Sequence, residues 1–126
     1  MEKILVVDDK EKIRLIYKSL LTREGYEVVE ANDGHHATNL LITLRNITLI
    51  LLDIHMPLVD GVTLYEVAKQ YDPDIKVIVT SVRSLDEQKR LIAQADDYYE
   101  KFLGTDVLLY KIKKIFASAR LESKFR

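Results

Sequence analysis

The chain has 126 residues, 48% of them hydrophobic and 31% charged, which reads as one globular domain, too apolar for disorder and too short for a second domain of any size. It has no cysteine, which excludes disulfides, thiolate metal sites and a cysteine nucleophile and fits a reducing compartment. With 19 basic against 20 acidic residues the formal charge is −1, so no global field favours direct nucleic-acid or lipid binding.

The N-terminal stretch holds only four consecutive apolar residues, Ile4 to Val7, before Asp8-Asp9. It is neither a signal peptide nor a membrane span, and a cytoplasmic protein without membrane contact is expected. Ile4 to Val7 is the first of four short apolar runs, followed by Val28-Val29, Leu49 to Leu52 and Ile75 to Val79, with a weaker fifth at Tyr98-Tyr99. Their length and near-continuous hydrophobicity suit strands covered on both faces.

Helical periodicity fills the gaps. Ile13, Ile16, Tyr17, Leu20 and Leu21 share a face that stops near Gly25, and Ala37, Leu40, Leu41 and Leu44 follow the Asn32-Asp33-Gly34 turn. Leu64, Tyr65 and Ala68 lie between Gly61 and Tyr71, before Asp72-Pro73-Asp74 breaks the pattern. Leu85, Leu91 and Ile92 permit a fourth helix, and Leu108, Ile112, Ile115 and Phe116 mark a fifth. Strand and helix alternating five times predict an α/β sandwich with right-handed crossovers around a parallel sheet. Residues 1–120 form the expected domain, and 121–126, with Lys124 and Arg126 around Phe125, a tail or the start of a linker.

Ligands of open parallel sheets bind beyond the carboxyl ends of the strands, where strand order reverses. Here the first strand ends in Asp8-Asp9, the third in Asp53 and the fourth in Thr80-Ser81, and Lys101 follows the fifth. If strands one and three are neighbours, as in a flavodoxin-like order, Asp8, Asp9 and Asp53 crowd together and repel unless a cation joins them. Oxygen-only ligands favour magnesium, which keeps several waters and so leaves room for an incoming phosphoryl oxygen. Asp9 could instead cap the next helix and Ser81 the one after it, while Lys101 could be an ordinary surface lysine. Asp53, closing four apolar residues before Ile54-His55-Met56-Pro57, is poorly explained by turn chemistry. Together at one sheet edge, the acids, the hydroxyl and the ammonium suit phosphate handling.

From Lys3 to about Phe116 the chain resembles the receiver domain of two-component response regulators. The resemblance rests on Val6-Val7-Asp8-Asp9, on Leu52 to Gly61, on Val79-Thr80-Ser81 and on Ala95 to Lys101. It implies a flavodoxin-like, doubly wound five-stranded parallel sheet of order 2-1-3-4-5 with five helices. Asp53 would accept a phosphoryl group from a sensor histidine kinase or a histidine phosphotransfer protein. Asp9, Asp53 and the backbone carbonyl of His55 would hold Mg2+, with Asp8 helping through a water. Ser81 matches the switch hydroxyl, Lys101 the family's invariant lysine, and Tyr98 the aromatic that rotates inward on phosphorylation. Met56-Pro57 and Asp60-Gly61 would shape the loop after the third strand.

The output would be a shifted population of the surface formed by the fourth helix, fifth strand and fifth helix. That surface would serve a downstream protein, a linked effector domain or a homodimer. Such a protein is a phosphoacceptor signalling domain and no enzyme beyond its own phosphoryl transfer and slow autodephosphorylation. His55, Val82 and Arg83 stand where receivers flank the phosphoryl group, and would tune its lifetime.

Four departures from the family pattern stand out. Val82 replaces a small residue, Phe102 replaces the proline after the lysine, Gln94 replaces a glycine, and the stretch from Ser81 to Lys101 is about two residues short. They keep a second reading open, a phosphorylation-independent pseudo-receiver acting as a docking module. A haloacid-dehalogenase-type phosphatase would want an acid at His55, and an FMN binder would want a glycine- and hydroxyl-rich loop where Asp8-Asp9-Lys10-Glu11 stands. His35-His36 lacks a third ligand and reads as a solvated helix start.

Overall fold

The structure, a computed structural model, describes residues 2–55 and 61–125. Strands β1 (Lys3–Val7), β2 (Glu27–Ala31), β3 (Ile47–Asp53), β4 (Lys76–Ser81) and β5 (Asp97–Glu100) alternate with helices α1 (Glu11–Arg23), α2 (Gly34–Thr43), α3 (Gly61–Tyr71), α4 (Leu85–Leu91) and α5 (Thr105–Lys124). All strands pair in parallel in the order β2-β1-β3-β4-β5, the expected doubly wound topology.

The continuous hydrophobicity of the strands follows from burial on both faces. Leu5, Val7, Ile50, Leu52, Val77 and Val79 point to one side, against Ala37 and Leu41 of α2 and Leu64 and Ala68 of α3. Their neighbours Ile4, Val6, Leu49, Leu51 and Ile78 point to the other, against Ile13, Tyr17 and Leu21 of α1 and Leu108, Ile112, Ile115 and Phe116 of α5. Each fully buried Leu or Ile contributes about 1.5–3 kcal/mol of transfer free energy, so these two layers hold the sheet edge in place.

Local signals set the helix ends. Asp33 accepts a hydrogen bond from the His36 N–H at 2.8 Å and Ser84 one from the Glu87 N–H at 3.3 Å, both N-caps. Gly25, at φ 89°, takes the left-handed turn after α1 that a Cβ would disfavour.

Two expectations change. Ile16 is exposed rather than part of the α1 core face, which narrows to Ile13, Tyr17 and Leu21 at four-residue spacing. In α4 the buried residue is Gln88, while Leu91 is exposed. Residues 121–124 continue α5, and 121–125 are exposed.

Candidate functional site at the sheet edge

Strand register assembles the site. Val7 lies opposite Leu52, so the residue that follows β1, Asp8, arrives beside Asp53, which itself lies opposite Thr80. Ser81 lies opposite Glu100, which places Lys101 just beyond. These are the carboxyl ends of β1, β3, β4 and β5.

Three of the strand ends use the same local device. Asp8 Oδ1 accepts from the Lys10 N–H at 2.9 Å, Asp53 Oδ1 from the His55 N–H at 3.0 Å, and Ser81 Oγ from the Arg83 N–H at 3.0 Å. Each short side chain thus satisfies a backbone donor two residues on and is oriented by it. For the two aspartates this leaves the second oxygen for Lys101, whose Nζ is 2.7 Å from Asp8 Oδ2 and 3.4 Å from Asp53 Oδ2. Arg14 Nη1 donates to the Asp8 carbonyl at 2.6 Å, and its Nε to Glu30 at 3.3 Å, fixing the backbone behind the acid.

Lys101 is only 6% exposed, so it is no surface lysine, and Asp8, Asp53 and Ser81 are buried with it. Asp9 is exposed at the mouth and caps no helix: the N-cap of α1 is Lys10, which makes no side-chain cap bond. Ser81 likewise caps nothing, since Ser84 caps α4. Burial pushes the Asp53 carboxyl above its ordinary range, and the nearby Asp8 charge adds to this. The His55 N–H and the Lys101 ammonium oppose the shift.

Oxygens of Asp8, Asp9 and Asp53 lie within 4.8 Å of one another. Three carboxylates against one ammonium leave two negative charges, the complement of one divalent cation. An all-carboxylate donor set of this kind fits a hard ion such as Mg2+ better than a zinc-type metal. His35 and His36 belong to no such group among the described residues.

The remaining predicted residues take other places. His55 is exposed, and its backbone N–H orients Asp53. Val82 is exposed, and the Arg83 guanidinium pairs with Glu87 at 3.2 Å on α4. Tyr98 is turned inward: its hydroxyl donates to the Ile92 carbonyl at 2.5 Å and accepts from the Ala95 N–H at 3.3 Å. Met56, Pro57 and Asp60 lie outside the described residues. Gly61 opens α3 directly against the backbone of Ile54.

Phe102, in the place of proline, has φ 71° and is 76% exposed. Sequence reasoning passed over two residues, Arg14 and Gln88. Arg14 sits one helical turn after Lys10, where a cation facing a strand end could have been noticed. Gln88 gives no signal beyond being a polar residue inside a short helix.

Residues 4–113 match the family model for the response regulator receiver domain. The transcriptional regulatory protein CpxR of Escherichia coli is 35% identical over 116 residues, which cover 91% of this chain and 49% of CpxR, so the chain spans about half the length of that relative. Among solved structures, the response regulator TrrA of Thermotoga maritima, in complex with Mg2+-BeF, superposes with a TM-score of 0.82 at 34% identity, covering 90% of this chain and 98% of TrrA. A CheY-like response regulator receiver domain protein from Methanospirillum hungatei superposes with a TM-score of 0.89 at 31% identity, over 97% of this chain and 98% of that one.

Proposed function

The chain belongs to the response regulator receiver family, and on that premise we propose that it is a phosphorylation switch whose phosphoacceptor is Asp53. The observation that carries this reading is the buried Lys101 ammonium bridging Asp8 and Asp53, beside an Asp9 that no helix cap employs. Receiver domains are signalling modules, and the group that transfers to Asp53 would come from a sensor histidine kinase or a histidine phosphotransfer protein.

A carboxylate attacks phosphorus poorly, so alignment and charge must do most of the catalysis. The His55 N–H fixes one oxygen of Asp53, which leaves the other to attack, and Lys101 Nζ lies where it meets the charge of the incoming phosphoryl oxygens. Asp8, Asp9 and Asp53, with the His55 carbonyl, would hold Mg2+, as the Mg2+-BeF complex of TrrA supports. Bound there, the ion supplies positive charge to the transferring oxygens.

Once the phosphoryl dianion is on Asp53, its oxygens accept from the Ser81 hydroxyl, whose oxygen keeps the Arg83 N–H, and so draw the end of β4 inward. The surface of α4, β5 and α5 then changes population, for a downstream protein, a linked effector domain or a second copy. His55, Val82 and Arg83, which follow the Asp53 and Ser81 strand ends in sequence, would set how readily water reaches the phosphoryl group. The domain unit is residues 1–120, with 121–126 leading on from it. Among the described residues no helix is long and apolar enough to cross a membrane; the proposed role is a cytoplasmic one.

One observation favours the second reading, a docking module independent of phosphorylation: Tyr98 is already turned in and doubly hydrogen-bonded. The test is incubation with a small phosphodonor followed by intact mass, with and without Mg2+, for wild type and Asp53→Ala. A Mg2+-dependent phosphate adduct absent from the variant is expected. No adduct, with a donor that labels a control receiver, would leave the docking module.

A further inference from the structure

Gln88 is fully buried on a seven-residue helix, where its side chain reaches out of α4 in two directions. Its Nε2 donates to the Arg83 carbonyl at 2.9 Å and to the Tyr99 carbonyl at 3.2 Å. Both protons of the amide are thereby used, and the amide cannot be turned over, because that would set its oxygen against two carbonyl oxygens. Oε1 is left buried with no donor. A buried acceptor without a partner is costly, so an aliphatic side chain would fill this place more cheaply if filling were all that was needed.

The two carbonyls are what give the residue its meaning. Arg83 is two residues beyond Ser81, and its own N–H binds the Ser81 hydroxyl. Tyr99 follows Tyr98, whose hydroxyl is bonded to the Ile92 carbonyl at the end of α4. One amide therefore joins the loop after β4 to the strand that bears the inward tyrosine, through the helix between them. The backbone bond from the Lys101 N–H to the Ser81 carbonyl, 2.7 Å, ties the same two strands at their tips but does not include α4.

We propose that Gln88 is the positioning residue that couples the Ser81 hydroxyl to Tyr98, carrying a displacement of the loop after β4 into α4 and β5. The proposal rests on the phosphorylation-switch reading above. When the Ser81 end moves toward Asp53, the Arg83 carbonyl moves with it, and the amide must either follow or release Tyr99. The unused Oε1 gives the side chain a further difference in energy between the two arrangements, since any backbone N–H the moving loop brings to it is gained only in the displaced one. A coupling of this kind requires such a difference.

The test is amide-resolved NMR of the full chain with Mg2+ and beryllofluoride as phosphoryl mimic, in wild type, Gln88→Met and Gln88→Asn. Methionine keeps the length and loses both donors; asparagine keeps the amide but is too short to reach both carbonyls, and it stands in if the methionine variant does not fold. In wild type the amides at 53–55 and 81–83 and those at 85–92 and 97–100 should all shift. In Gln88→Met the first set should still shift and the second set should lose its response. A wild-type response in both sets of the variant overturns the proposal, as does loss of both sets in a variant that remains folded. Silence of both sets in the wild type would instead bring down the switch reading and this coupling with it.

Discussion

No side chain fits between Gly61 and Ile54: a Cβ on Gly61 would lie 2.5 Å from Ile54 Cα and 3.0 Å from the Asp53 carbonyl oxygen. The first turn of α3 is thus laid on the backbone that carries Asp53, and only glycine allows the approach. Gly61→Ala should destabilise the fold by about 1–3 kcal/mol through overpacking and displace Asp53 at the same time. Urea unfolding and Mg2+ titration of the same variant should show both losses. Wild-type Mg2+ affinity in a destabilised variant would separate the packing from the site.

The acid cluster holds more negative charge than Lys101 balances, and Asp9 is its exposed member. Without divalent ions, Asp9→Asn should raise stability by relieving repulsion, and adding Mg2+ should stabilise the variant much less than wild type. Lys101→Met should do the opposite, costing on the order of 3 kcal/mol at neutral pH because two buried carboxylates lose their partner. Thermal melts in chelator and in Mg2+ check all three proteins together.

Phe102 holds a left-handed backbone conformation with its ring mostly in solvent, so it bears backbone strain with little burial in return. A non-glycine residue there costs roughly 1–2 kcal/mol. Phe102→Gly should therefore be neutral or stabilising by up to about 1 kcal/mol, allowing for the entropy of glycine. A loss of more than that in denaturant titration would mean that the ring makes contacts its exposure does not suggest.

Tyr17 lies buried in α1 beneath the site. Burial raises its phenol pKa well above the ordinary value of 10.0, and the charges of Tyr99, Asp8 and Asp53 raise it further. The unfolded chain releases this proton first as pH rises, so stability is full below pH 10 and is lost above it. Tyr17→Phe should match wild type near neutrality and resist alkaline unfolding better, seen as a gap in urea midpoint that opens only at high pH. Parallel curves across the whole range would contradict this.

The residues at the sheet edge are legible in the sequence because two simple signals converge there. Continuous apolar runs locate the strands, and a polar residue closing such a run marks a strand end, which brings Asp8, Asp53 and Ser81 together once β1, β3 and β4 are neighbours. The burial of Lys101 is not legible, since position alone favours solvent and it is the facing carboxylates of Asp8 and Asp53 that hold it inside.

Helix α4 is the least legible element. Seven residues give too few turns for a period, so Leu91 looks like core and Gln88 does not, whereas Gln88 faces inward because two carbonyls need a donor. Ile16 misleads for a related reason. It lies on the apolar side of α1, but the sheet accepts only the stripe of Ile13, Tyr17 and Leu21.

On the proposed reading Asp53, rather than its neighbours Asp8 or Asp9, takes the phosphoryl group. Acyl phosphates can be reduced by borohydride, which converts a phosphorylated aspartate to homoserine and marks its position in a peptide map. After treatment with a small phosphodonor and Mg2+, the peptide spanning Asp53 should carry the mark and the peptide bearing Asp8-Asp9 should not. A mark on Asp8 or Asp9, or none on any aspartate while a control receiver is labelled, would rule out Asp53 as the phosphoacceptor.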